Sequence, residues 1–203
     1  MQPRPPTIRR LRLAACLAFL VATGFALAGC PVESDQPLGP TGQAKEDPAL
    51  YGVWYATNND SPAWFHIYRP TEAAAGTIEV VIVSQDADGG GDTEFYRGHL
   101  SDLDGLHFAN VQGPVTGDAA SGSYYLVNYR IAADGALELR LLKEATVEAA
   151  IAADRLTGER TAEGKPTDHV TDTPEQLRAF IAATDQTSLF EDPIRLEPIR
   201  AKP

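Results

Sequence analysis

Cysteine is almost absent from this chain of 203 residues, with only Cys16 and Cys30. No disulfide framework can organise the fold, so a buried apolar core has to hold it together. Basic residues are scarce as well. Against 28 Asp and Glu there are 17 Lys and Arg, for a formal net charge of −11. Such a surface repels phosphate backbones, and nucleic acid is not an expected partner. Histidine occurs as His66, His99, His107 and His169, widely separated and without the H-E-x-x-H or H-x-H spacing that favours zinc. Ser121 and Ser123 stand near glycines but form no G-x-S-x-G elbow, and Gly89-Gly90-Gly91 lacks the Lys-Ser or Lys-Thr of a phosphate loop. No catalytic set and no cofactor motif emerges. The chain is expected to be non-catalytic, with a hydrolase lacking a recognisable motif as the remaining enzymatic alternative. His99 and His107 flank one predicted hairpin, where a shared face would bring them together.

Long apolar runs are also missing, the longest being residues 13–27, shorter than the roughly 20 residues of a spanning helix. That run follows Arg4, Arg9, Arg10 and Arg12, with no acid among them, and leads through small residues to Leu27-Ala28-Gly29-Cys30. A positive region, a short apolar region and small residues at the cut site make a secretory signal. The four residues at its end resemble the lipobox of bacterial lipoproteins. The resemblance implies cleavage before Cys30 and a diacylglycerol on its sulfur, leaving the mature chain anchored to a membrane by its first residue. Arg9-Arg10 keeps twin-arginine export open beside the general route. Pro31 and Val32 lack the aspartate of the enteric inner-membrane retention pattern, which points to the outer membrane, facing the periplasm.

Three segments follow. Residues 1–29 are the signal. Residues 30–48 are expected to be a lipidated end and a flexible tether, since Pro31, Pro37, Pro40, Pro48, Gly39 and Gly42 leave little to pack. Residues 49–203 are long enough for one β-rich domain with one compact core.

Within that domain the period is two. Residues 52–57, 64–69 and 77–84 read as strands, the third apolar on both faces and therefore central. Asp104-Gly105 lies between alternating runs 93–103 and 106–111, and Asp134-Gly135 between 124–133 and 136–142. Asp-Gly between such runs is a strong hairpin signal. The period then changes. Val147, Ala150 and Ile151 are at helical spacing in residues 146–155, and Thr173-Pro174-Glu175-Gln176 supplies a cap, an N1 proline and a capping-box glutamine before Leu177, Phe180 and Ile181. Each helix has a narrow apolar face and is expected to pack on the sheet or across an open end. Residues 194–199 form a terminal strand, with Pro193 and Pro198 expected to confine it to an edge. The fold class is thus α+β, mostly an antiparallel β meander, as a small barrel or an open sheet, with two helices in the C-terminal half.

Gly52-Val53-Trp54 resembles the G-x-W motif that opens lipocalins, where the tryptophan closes the bottom of an eight-stranded barrel. The resemblance implies a carrier of a small hydrophobic ligand, with Trp54, Tyr125, Tyr129 and Val127 as candidate cavity residues. Tyr125, Val127, Tyr129 and Ile131 share one strand face. The same stripe equally fits a filled core. Asp86, Asp88 and Asp92, among glycines, form a candidate calcium loop, although Arg97 stands where an EF-hand requires glutamate. The leading expectation is a lipid-anchored, non-catalytic binding domain for an envelope protein or component. An apolar cavity near Trp54 would favour the carrier; an exposed apolar patch would favour a protein partner.

Overall fold

Alternation builds the first seven strands of a closed barrel, seen in a computed structural model that describes residues 31–40, 46–58, 61–85, 89–115 and 122–199. Cys30, the segment before it, Asp86 and Asp88 lie outside the described residues. A short strand β1 (Glu33–Ser34) precedes the meander β2 (Gly52–Asn58), β3 (Ser61–Tyr68), β4 (Thr77–Gln85), β5 (Gly91–Leu103), β6 (Leu106–Gln112), β7 (Tyr124–Ile131) and β8 (Leu137–Arg140). Helix α1 (Glu144–Ala152), strands β9 (Gly158–Arg160) and β10 (Pro166–Val170), and helices α2 (Pro174–Ala183) and α3 (Gln186–Leu189) come before β11 (Ile194–Pro198). Every neighbouring pair from β2 to β8 is antiparallel, and β11 joins β8 to β2, so the eight strands close on themselves. Closure removes the edges an open sheet would expose. No helix among the described residues is long and apolar enough to cross a membrane.

The Asp-Gly signals lie where the chain reverses. Asp104 and Gly105 have φ of 49° and 83°, the left-handed pair that a two-residue hairpin with native twist needs, and Leu103 pairs directly with Leu106. Thr173 caps α2 with a full capping box, its hydroxyl accepting from Gln176 N while the Gln176 side chain accepts from Thr173 N.

Four expectations need correction. First, β11 is no edge strand. Pro193 precedes it and Pro198 is its last residue, so the prolines bracket the strand and leave interior donors for both neighbours. Second, the core is double. One cluster fills the barrel, from Leu50, Trp54 and Phe65 to Leu137 and Leu196. The other lies outside the wall, where Phe108 and Leu126 meet Val147, Ile151, Leu177, Phe180 and Ile181 of α1 and α2. Third, β1, β10 and β9 extend the sheet beyond β7, an addition that the short, polar sequence of residues 158–170 does not announce.

Fourth, residues 31–40 are not a loose tether. Val32 is buried, Leu38 is fully buried, and β1 is held between β7 and β10. Buried Asn110 explains the grip. Its Oδ1 accepts from Leu38 N at 2.8 Å, and its Nδ2 donates to His99 O and Ser101 Oγ. His99 Nε2 lies 2.6 Å from Gly39 O, and Arg178 donates to Leu38 O at 3.0 Å. Composition indicated a spacer because proline and glycine dominate it; two apolar residues and a set of backbone hydrogen bonds suffice to bind it down.

Candidate ligand cavity

The barrel end where β2 begins is plugged by the chain itself. Asp47 caps a 3-10 turn (Pro48–Leu50) by accepting from Ala49 N at 3.1 Å, and the turn drops Leu50 into the interior. The indole Nε1 of Trp54 donates to Leu50 O at 3.0 Å, so the tryptophan of the G-x-W motif locks the plug. Tyr129 adds a second tie through its hydroxyl to Asp47; burial first, and then the neighbouring acids, push that phenol well above its ordinary range.

Above the plug lies a cavity of about 80 Å³, lined by apolar side chains from all around the barrel, including Leu50, Phe65, Ile82, Ala109, Val127 and Tyr129. None of its surface is polar. Of the candidate cavity residues, Tyr129 and Val127 line this space. Trp54 and Tyr125 face the same interior but belong to its packed layers, Trp54 as part of the plug and Tyr125 paired with Val111.

Two side chains near the opposite end were not singled out in the sequence. Glu94 is only 4% exposed and faces inward beside Ile82, its partner across β4 and β5. Its Oε2 accepts from the Tyr96 hydroxyl at 3.2 Å, while its Oε1 is buried without a hydrogen-bond partner. Burial pushes the Glu94 carboxyl up to about 7, the Tyr96 bond working in the other direction. Tyr96 also lines the cavity. The two-residue spacing of Glu94 and Tyr96 put both on one strand face. That was the available signal, obscured by the exposed acids around it.

The remaining candidates stay apart. His107 meets Asp102 at 2.6 Å on the exposed rim, whereas His99 points out of the barrel beneath residues 38–40, so the hairpin places the two on opposite faces. His169 pairs with Asp35 on the far side of the outer layer. Among the described residues no three His, Cys, Asp or Glu side chains converge as a metal site. Of the calcium candidates only Asp92 is described, exposed at the start of β5. Ser121 lies outside the described residues.

The outer wall is asymmetric. Its β5 to β7 part is covered by α1 and α2, while among the described residues no helix covers the apolar face of β2 to β5, in which half-buried Tyr55, Trp64, Val81 and Val83 and exposed Phe95 are neighbours through strand pairing. Tyr55 and Trp64 meet with ring centroids 5.7 Å apart, and Phe95 is 51% exposed. No family model, no curated protein and no solved structure matches the chain.

Proposed function

We propose that this protein is a non-catalytic binding module of the bacterial envelope, anchored by acyl chains on Cys30 at the periplasmic face of the outer membrane, and that it holds a small apolar ligand inside its barrel. The anchor is supported by the basic, apolar and small-residue order ending at Leu27-Ala28-Gly29-Cys30. One observation carries the ligand: a closed barrel enclosing a wholly apolar cavity of about 80 Å³, with Trp54 and Leu50 sealing one end. A void in a packed interior costs about 24 cal/mol per Å³, hence about 2 kcal/mol here, which an apolar occupant recovers. The size sets the class of ligand. A cavity of roughly 150 Å³ takes benzene, so this one takes a short alkyl segment.

Mass spectrometry of the protein purified from its own host tests both halves. The expected result is a Cys30 N-terminus carrying acyl mass, with a small apolar compound released on denaturation. An unmodified thiol at Cys30 overturns the anchor, and a barrel that is empty in every preparation overturns the ligand.

A second reading is favoured by the face of the wall that no described helix covers. Exposed aromatic faces rimmed by polar groups are a mark of protein contacts, and exposed Phe95, with half-buried Tyr55 and Trp64 on the same side of the wall, supplies such a face for an envelope protein. Crosslinking from position 95 in intact cells, compared with Phe95→Ser, tests it. A discrete crosslinked partner lost in the variant supports this reading, and the same crosslinks in both proteins overturn it.

A further inference from the structure

We infer that the barrel selects a cationic amphiphile, a short alkyl amine, with its chain in the apolar cavity and its ammonium group against Glu94 Oε1. This rests on the reading of the barrel as a ligand site and specifies what that site takes.

Three observations converge. The first is the unpartnered oxygen. A buried polar atom without a partner costs about 1–3 kcal/mol, more when charged, and such atoms are rare in folded proteins. Glu94 Oε1 is one, and as an acceptor it calls for a donor. Its place matters too. Ile82, across the strand pair, and Tyr96, bonded to the other carboxyl oxygen, both line the cavity, so Glu94 lies directly beside that space.

The second concerns charge. Among the described residues no buried side chain is a lysine or arginine, so no cationic side chain is buried beside the acid. An ammonium group brings both the hydrogen and the opposite charge, and in a water-excluded interior such a pair is far stronger than at the surface. An alcohol would bring only the hydrogen, and a fatty acid would place like charge on like.

The third is the approach. The chain carries 28 Asp and Glu against 17 Lys and Arg, and Asp92, two residues from Glu94, is exposed at the start of β5. Together with the net charge of −11, this sequence balance attracts cations and repels anions.

Protein NMR titration of the full domain with n-butylamine and with butan-1-ol, on wild type and Glu94→Gln, tests the inference. The expected result is that n-butylamine shifts the resonances of Ala109, Val111 and Val127 in wild type and binds Glu94→Gln at least tenfold more weakly. Butan-1-ol should distinguish the two proteins little. Unchanged amide spectra outside the barrel interior show that the variant is folded. If both probes bind both proteins alike, the cationic selection is overturned and the apolar site stands. Amine shifts confined to exposed carboxylates, with butan-1-ol still in the cavity, likewise overturn the selection alone. If neither probe enters the cavity, the ligand reading itself falls.

Discussion

His169 Nε2 lies 2.7 Å from Asp35 Oδ1, joining residues 134 positions apart and fastening the first described segment to β10. The imidazole also faces Glu33 at 3.5 Å. Glu33 is the largest cause that lifts His169 to about 9, with burial opposing and Asp35 adding to the rise. Since folding raises this pKa, the stabilisation is complete below about 6.5, the unfolded value, and is lost as pH climbs through 9. His169→Gln should lower unfolding free energy by about 1–2 kcal/mol at pH 6, after allowance for the half-exposed Asp35, and by almost nothing at pH 10. Urea titrations at the two pH values read this directly. An equal loss at both would show that charge is not involved.

Glu94 behaves in the opposite sense for its own carboxylate. Its pKa is raised from 4.5 to about 7, so the folded state prefers the protonated form, and stability falls as pH rises from about 4.5 through 7. Glu94→Gln should therefore be more stable than wild type by about 2–3 kcal/mol at pH 8, with the gap closing near pH 4. Thermal melts across that range check the sign. A gap that does not depend on pH would place Glu94 in contact with water.

Leu38 gives the sharpest test of the grip on residues 31–40. It is fully buried in the outer core, so Leu38→Ala should cost about 2–5 kcal/mol, as a core truncation does, and a loose spacer would tolerate it freely. Asn110→Ala should also destabilise, since Leu38 N and His99 O lose their partner together. Denaturant midpoints decide the matter.

Trp54→Phe keeps the aromatic bulk and removes the indole donor to Leu50 O. A loss of about 1–2 kcal/mol is expected, with the 3-10 turn at residues 48–50 exchanging amide hydrogens faster than the rest of the barrel. Unaltered exchange in that turn would show that Leu50 is held by packing alone.

Much of the meander was legible because short-range rules govern it. Asp104-Gly105 demanded two left-handed residues and obtained them, and Thr173 to Gln176 spelled out a cap that formed in full. The interior face of β7, with Tyr125, Val127, Tyr129 and Ile131, followed from its period of two. What escaped was long-range. Nothing local to Ile194 and Leu196 tells that they close a barrel between β8 and β2, because that pairing depends on where the helices return the chain. Residues 31–40 were misjudged for the same reason, their partners Asn110, His169 and Arg178 being remote. Of the cavity, two lining residues were foreseen, but Glu94 was hidden in an acidic stretch where only the strand's facing distinguishes it.

The two residues of β1 are clasped on both sides, by β7 running against them and by β10 running alongside. Any tension applied at the amino end therefore acts along these strands, and several hydrogen bonds must yield in concert instead of peeling apart one at a time. Residues 31–38 thus move with the barrel as one body, their ends held by strand pairing and by the Asn110 side chain.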